Sequence, residues 1–164
     1  MKYNFDYKAL SKDNILTLLH VYYNKEAIFK NLEKQRKQII KGSFSQPTLD
    51  AIKRGVEWQN KNFMINFIEK ICHKALTLLK ENDIILLQRL GRQEKIPQDF
   101  NGYNSRTYFR KTNEAFNQFG YHVCKQGVND NFLENSGDFF KGHRNAVKEK
   151  YLLRQKERKQ NEEQ

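Results

Sequence analysis

The chain has 164 residues, a length that allows one compact domain or a small domain with helical extensions. Thirty Lys and Arg residues against 19 Asp and Glu residues give a formal net charge of +11, which favours an acidic partner: nucleic acid first, an anionic membrane surface second. Eight Gly and two Pro residues are too few for a sandwich or a barrel with many tight turns.

An N-terminal helical segment is predicted over residues 1–47. Ser11 or Asp13 is a suitable N-cap for its helix, and an apolar stripe at helical spacing continues from there to Gly42. The stripe consists of Ile15, Leu16, Leu18, Leu19, Tyr22, Tyr23, Ala27, Ile28, Leu32, Ile39 and Ile40. The segment GSFSQP, residues 42–47, predicts a loop after this helix.

A helical domain is predicted over residues 48–123. Its first helix covers about residues 49–79, with Gly55 as a candidate break. The predicted core face of this helix consists of Phe63, Phe67, Ile71, Ala75, Leu78 and Leu79. A turn at Glu81 or Asn82 and a short apolar helix over residues 84–90 follow.

The stretch YNSRTYFRKTNEAFNQFG, residues 103–120, predicts an amphipathic helix that Asn104 or Ser105 caps and Gly120 ends. Its apolar face carries Tyr108, Thr112, Ala115, Phe116 and Phe119, and its polar face carries Arg106, Arg110, Asn113 and Asn117. Arginine can fork onto guanine and asparagine can pair with adenine, so the polar face is a candidate for reading bases. Ser105, Thr107 and Lys111 lie near the helix start, where phosphates are commonly bound.

A helix-turn-helix arrangement is predicted over about residues 94–119. Pro97 suits the first turn of a short helix, and Gly102 suits the turn before the longer helix. The competing interpretation is an ordinary amphipathic helix whose polar face is only solvated. The preceding turn and the overall charge favour DNA binding.

Residues 103–110, together with Ala115 and Phe116, resemble the recognition helix of ArpU-type phage late-transcription regulators, which are relatives of the promoter-reading fourth region of sigma-70 factors. The resemblance extends over about residues 67–121 and includes residues similar to the helix that precedes the motif in both groups. These are Ala75, Leu76, Leu78, Leu79, Asp83, Leu86, Leu87 and Arg89. Asn101 departs from the usual leucine. The resemblance implies promoter binding, with the RNA polymerase core as a candidate partner.

Residues 124–164 are predicted to form a loop and a basic C-terminal tail. Residues 127–137 are rich in Gly, Asn and Ser, as loops are. Residues 141–159 carry eight Lys or Arg against two Glu, and their thin apolar stripe predicts a solvated helix or a frayed tail. Lys156, Arg158 and Lys159 are candidate contacts to the DNA backbone.

No motif for catalysis or for a cofactor is found in the sequence. Cys72, His73, His122 and Cys124 match no common zinc spacing, and Cys72 is better explained as a small core residue. His20 lies among apolar neighbours and is predicted to be an ordinary, partly buried histidine. We therefore expect a protein that is not an enzyme and that has no metal site and no cofactor.

A cytoplasmic protein without membrane association is expected. The longest unbroken aliphatic run, residues 84–87, is far too short to cross a bilayer, and the first ten residues lack the apolar core of a secretory signal. Two cysteines, which are not closely spaced, fit a reducing compartment.

The sequence as a whole predicts an all-α protein: a small helical domain with a helix-turn-helix in its C-terminal half and a basic tail. The predicted function is transcription regulation through double-stranded promoter DNA, in the stronger version as a sigma-like factor that directs RNA polymerase. One alternative is a non-catalytic helical protein-interaction protein. Another is an RNA-binding protein that stacks bases on exposed aromatics such as Phe109 or Tyr103. The target promoter, activation or repression, and the oligomeric state stay open.

Overall fold

The computed structural model describes residues 10–45, 49–92 and 105–162, and within these ranges the chain forms seven α-helices and no β-strand. The helices are α1 (Lys12–Tyr23), α2 (Lys25–Ser45), α3 (Leu49–Leu76), α4 (Glu81–Gly91), α5 (Ser105–Cys124), α6 (Asp130–Glu134) and α7 (Asp138–Glu162). The predicted all-α class is confirmed.

Helix α1 lies at the centre of the fold and packs against α3, α4, α5 and α7. Ser11 is its N-cap, as predicted: the side chain accepts a hydrogen bond from the backbone N–H of Asn14 at 3.3 Å. Ile15, Leu18 and Leu19 are at most 2% exposed. Full burial of one such side chain contributes about 1.5–3 kcal/mol, so α1 is a main source of stability.

One hydrophobic core collects side chains from all three segments that the sequence suggested. Leu10 and the buried face of α1 contribute to it, as do α3, α4 and α5. From residues 124–164, the core receives Val128, Leu133 and Phe140, each at most 1% exposed. All three segments therefore contribute to this main core, and a second, smaller cluster of Leu86 and Tyr108, with Ile85 against it, lies between α4 and α5.

Asn24 divides the predicted first helix into α1 and α2. Its side-chain amide donates to the carbonyl oxygens of His20 at 2.8 Å and Gly91 at 3.2 Å, so it caps α1 and ties it to α4. Helix α2 continues to Ser45, and the predicted loop at residues 42–47 is wrong for residues 42–45. A proline disfavours the helical conformation at the residue directly before it, here position 46. The effect of Pro47 therefore does not reach Gly42, and the helix can include it. Residues 46–48 lie outside the described ranges.

The predicted core face of α3 is wrong at two positions. Ile71 and Ala75 are buried, but Phe63 and Leu78 are 66% and 62% exposed. Residues that recur every fourth position rotate by about 40° per step, so Phe63, three such steps before Ala75, lies off the buried face. Leu78 is exposed for another reason: α3 ends at Leu76, and Leu78 lies in the turn that follows. The buried face instead carries Met64, Ile65, Ile68, Ile71, Cys72, Ala75 and Leu76. Helix α3 also runs through Gly55 without a break.

Three further boundaries differ from the predictions. Helix α5 does not end at Gly120 but continues to Cys124, because glycine inside a helix costs only about 1 kcal/mol and the extra turn buries Val123. The predicted turn at residues 81–82 is the first turn of α4, which follows the N-cap Lys80. The predicted loop at residues 127–137 contains α6, and Asn129 caps it by accepting from the backbone N–H of Phe132 at 2.8 Å.

Helices α6 and α7 are fastened to the start of α1. One carboxylate oxygen of Asp130 accepts from the backbone N–H of Ser11 at 2.8 Å and from the side-chain amide of Asn14 at 2.7 Å. Lys148 of α7 lies 3.3 Å from the carboxylate of Asp13. The basic C-terminal segment is thus a helix attached to the body at its first half, which agrees with the solvated-helix alternative rather than the frayed tail.

In the part of the chain that the structure describes, each helix is too short or too polar to pass through a bilayer.

Two histidines meet where α1 packs against α7. The ring centroids of His20 and His143 are 6.2 Å apart, and the ring of Phe139 lies 4.6 Å from that of His143. Burial lowers the pKa of both histidines. Lys150 lowers the pKa of His20 further, and His20 and then Lys61 lower the pKa of His143 further. The prediction of a partly buried His20 is confirmed.

We predict opposite effects for alanine at two helical glycines. A Cβ atom on Gly91 would lie 2.5 Å from a ring carbon of Tyr23 and 2.9 Å from the carbonyl oxygen of Leu19, so Gly91→Ala forces α4 away from α1. We expect a loss of about 1–3 kcal/mol in the free energy of unfolding. Gly55→Ala, where no atom is within 4 Å, should gain about 0.5–1 kcal/mol. Urea denaturation followed by circular dichroism measures both; equal effects would contradict the described α1–α4 contact.

The His20–His143 contact predicts a stability that falls on acidification. Because the pKa values of both groups are lower in the folded state than the usual 6.5, the unfolded chain binds protons more readily. Their contribution is complete above about pH 6.5 and is lost as the pH falls below that value. The free energy of unfolding, measured in urea, should therefore be lower at pH 5.5 than at pH 7.5. His143→Gln should reduce this drop, whereas the control His73→Gln, at an exposed position, should retain it.

Candidate nucleic-acid interface

The inner face of α5 is the anchor of the candidate interface. Its five predicted members are all buried, with exposures of 3%, 6%, 0%, 7% and 0% for Tyr108, Thr112, Ala115, Phe116 and Phe119. This confirms the predicted apolar face. The face packs against α3, α4 and α1, which fixes the rotation of α5 about its own axis.

The outer face of α5 points away from the core. Arg106, Arg110 and Asn113 are exposed, and Asn117 is half-buried. At 100° per residue these four positions fall within an arc of about 60°, on the side opposite Phe119. The structure therefore brings the four predicted base-reading residues together on one accessible stripe. We call it the α5 outer face.

Lys12, which the sequence interpretation missed, joins this face from α1. Its ammonium group donates to the side-chain oxygen of Asn113 at 3.5 Å, across 101 positions of sequence. The neighbouring carboxylate of Asp13 lies 3.3 Å from Lys148. No local pattern could have indicated Lys12, because its position depends on how α1 packs against α5.

Lys111 lies at the edge of the face and has acidic neighbours. Its ammonium group is 3.7 Å from the carboxylate of Glu114, and both side chains line a shallow cleft of about 230 Å³ with Asp83 of α4. Burial raises the pKa of the Asp83 carboxyl group, and Lys80 opposes that shift. The carboxylates reduce the local positive potential, so Lys111 is a weaker candidate for phosphate binding than Arg106 or Arg110.

The other predicted contacts near the helix start have different environments. Thr107 is half-buried, and Ser105 is the first residue of α5, with its side chain outside the described set. Phe109 is 52% exposed, and its ring lies 6.1 Å from that of Tyr108. The face therefore combines exposed cations with one exposed aromatic ring.

The turn that should precede α5 falls on residues 93–104, which lie outside the described ranges together with Pro97, Gly102 and Tyr103. The upstream part of the family resemblance requires a correction. Its residues do not share one helix: Ala75 and Leu76 end α3, Leu78 and Leu79 lie in a turn, and the rest belong to α4. The turn is closed by bonds from the N–H groups of Leu78 and Leu79 to the carbonyls of Ala75 and Leu76, at 3.2 and 3.1 Å.

The cations of α7 fall into two groups. Arg144 and Lys141 bind Glu134 at 2.9 and 3.8 Å, and Arg144 lowers the pKa of the Glu134 carboxyl group. These contacts hold α7 on α6. Lys156 is exposed beyond them; Arg158 and Lys159 are in α7, with side chains outside the described set.

Cys72 is a core residue, as predicted. Its side chain is fully buried, and the thiol donates to the carbonyl oxygen of Leu18 at 3.8 Å. Burial raises the pKa of the thiol. Among the described residues, His, Cys, Asp and Glu side chains form no cluster of three or more that could bind a metal ion.

No protein-family model matches the chain, and searches of curated proteins and of solved structures find no significant match. A functional proposal therefore depends on the residues and their geometry.

We predict that the two faces of α5 respond differently to alanine. Arg106→Ala and Arg110→Ala should change the free energy of unfolding by less than about 0.5 kcal/mol, because both side chains are exposed. Phe119→Ala should lower it by about 3–5 kcal/mol, since it removes a fully buried ring. Chemical denaturation of the three variants checks this. A loss above 2 kcal/mol for either arginine would show that it supports the fold.

Proposed function

We propose that the protein is a DNA-binding transcription regulator that contacts double-stranded promoter DNA with the α5 outer face. One observation carries the proposal: α5 is fixed by a fully packed inner face, while Arg106, Arg110 and Asn113 are exposed together on the opposite side. A rigid helix with such a stripe meets the geometric need of major-groove reading.

The chemistry of the stripe suits base edges. The guanidinium groups of Arg106 and Arg110 can each donate two hydrogen bonds to the O6 and N7 atoms of guanine. The amides of Asn113 and Asn117 can donate to N7 and accept from N6 of adenine. The major groove is about 12 Å wide, which admits a helix only where its neighbours leave the outer side clear.

Contacts to phosphates would come from the periphery of the face. Lys12 beside Asn113 supplies a cation close to the stripe, and Thr107 and Lys111 lie on its flank. The cations near the end of α7, with Lys156 exposed among them, would add attraction that is independent of sequence and that falls steeply with salt.

The stronger form of the proposal is a sigma-like factor that brings RNA polymerase to chosen promoters in the cytoplasm. It is supported by the resemblance of residues 103–110 to the promoter-reading region of sigma factors. Recovery of bound genomic DNA, combined with a pull-down probed for RNA polymerase, would separate a polymerase-bound factor from a regulator that binds DNA alone.

RNA binding is the second candidate, and the exposure of Phe109 supports it. A ring that is 52% exposed beside two arginines offers a surface on which an unpaired base can stack. Competition between single-stranded RNA and duplex DNA of equal length distinguishes the two functions. Duplex preference favours groove reading, and RNA preference favours stacking.

We predict that Arg110→Ala reduces discrimination between duplexes. Its affinity for the recovered site should fall by about 5- to 150-fold, which corresponds to the 1–3 kcal/mol of one bidentate base contact, while affinity for a scrambled duplex changes little. Fluorescence anisotropy with both duplexes at one salt concentration measures this.

The matched control replaces Lys156, Arg158 and Lys159 by glutamine. This variant should bind both duplexes more weakly by the same factor, with a shallower dependence on salt. If Arg110→Ala also weakened both duplexes equally, Arg110 would contact the backbone rather than a base.

A further inference from the structure

Helices α2 and α3 form an antiparallel pair that extends beyond the core. The indole N–H of Trp58 in α3 donates to the carbonyl oxygen of Leu32 in α2 at 2.9 Å. The guanidinium carbon of Arg36 lies 5.8 Å from the Trp58 ring centroid. We call residues 33–41 of α2 and 49–63 of α3 the arm. Buried Leu32 and half-buried Trp58 join its two helices.

A stripe of exposed apolar side chains runs along the arm on α3. Leu49, Ile52, Val56 and Phe63 are 73%, 62%, 52% and 66% exposed. Their spacings of three, four and seven residues place them at the first and fourth positions of a heptad repeat, which is the pattern of a coiled-coil seam. We call these four residues the α3 seam.

The α3 seam faces away from α2. At 100° per residue the four members fall within an arc of about 60°, and Trp58 lies roughly 150° from the middle of that arc. The surface is therefore separate from the face that closes the arm. It is also separate from the α5 outer face, which lies on another helix.

The size of the seam fits a second protein helix. Its four side chains expose roughly 500 Å² of apolar surface, at the upper end of what a monomer ordinarily presents in one patch. Two such seams would bury at most roughly 1,000 Å² when paired, and the flanking side chains would add to this area, which places the interface at the small end of specific complexes. A single exposed leucine would require no explanation, but a seam with heptad spacing does.

The seam is complementary to itself when two copies run antiparallel. Val56 is its centre, and Leu49 and Phe63 lie seven residues to either side. An antiparallel partner centred on Val56 therefore places Leu49 of one copy opposite Phe63 of the other, as a two-fold axis requires. A large side chain meets a medium one at each end, and the β-branched Val56 meets itself.

The charges beside the seam permit this pairing. In the antiparallel arrangement Lys53 of one copy lies on the same side as Glu57 of the other, about 3 Å apart along the helix axis. Gln59 occupies the fourth heptad position between Val56 and Phe63 and lies opposite Lys53 of the other copy, and Asn60 lies opposite Ile52; both are neutral. The net charge of +11 per copy is thus not concentrated where the copies would meet.

We propose that the protein forms a two-fold symmetric homodimer through antiparallel pairing of the α3 seams of two copies. The proposal depends on the arm alone and holds or fails separately from DNA binding, since its test contains no nucleic acid.

The first test measures mass in solution. Sedimentation equilibrium of the full chain should give twice the chain mass at micromolar concentration, and Val56→Asp should weaken the dimer by at least 100-fold. Leu152→Asp is the matched control, because Leu152 is 56% exposed on α7, away from the seam, and should leave the dimer intact. Circular dichroism confirms that both variants fold. A wild-type monomer up to 100 µM, or a dimer that Val56→Asp leaves unchanged, would overturn the proposal.

The second test fixes the direction of the helices. In a Cys124→Ser background, where the remaining Cys72 is fully buried, Val56→Cys should form a disulfide-linked dimer on mild oxidation. Leu49→Cys alone should not link, but it should link when mixed with Phe63→Cys. Linking of Leu49→Cys to itself would indicate parallel helices and would contradict the two-fold arrangement described above.

Discussion

The packing of α1 against four other helices is the constraint on which the rest of the structure depends. Leu18 and Leu19 are almost completely excluded from solvent, and the backbone of Leu19 approaches α4 so closely that only glycine fits at position 91. The amide of Asn24 then joins the carbonyl oxygens of His20 and Gly91. Burial supplies most of the free energy, and these backbone contacts fix the position of α4 relative to α1.

The same packing determines what the protein presents to a partner. With α4 held on α1, the inner face of α5 is covered by α1, α3 and α4, so Arg106, Arg110 and Asn113 must face outwards. Lys12, at the start of α1, also donates a hydrogen bond to the side-chain oxygen of Asn113. Burial of the apolar side of α5 stabilises the helix, so the polar side can bind a partner without itself contributing to folding.

Local patterns predicted those features whose cause is local. The Ser11 cap and the two faces of α5 follow from hydrogen bonding and helical periodicity within one element, and the structure has both. Tertiary packing decided the rest. Phe63 is exposed because α3 turns its core face elsewhere, and Lys12 lies at the candidate site only through the contact of α1 with α5. The predicted helix-turn-helix depends on residues 93–104, outside the described ranges, and stays a prediction.

The distribution of ion pairs explains how a strongly basic protein can keep cations available. Lys25, Lys111, Lys141, Arg144 and Lys148 each lie within 4 Å of a carboxylate and so are partly neutralised within the molecule. Among the ion pairs of the described residues, none includes Arg106 or Arg110. An exposed ion pair contributes at most about 1 kcal/mol, so leaving two arginines unpaired costs little stability. In return, their guanidinium groups need not give up a protein partner before they bind an anion or a guanine edge, which is the condition a DNA-reading face has to meet.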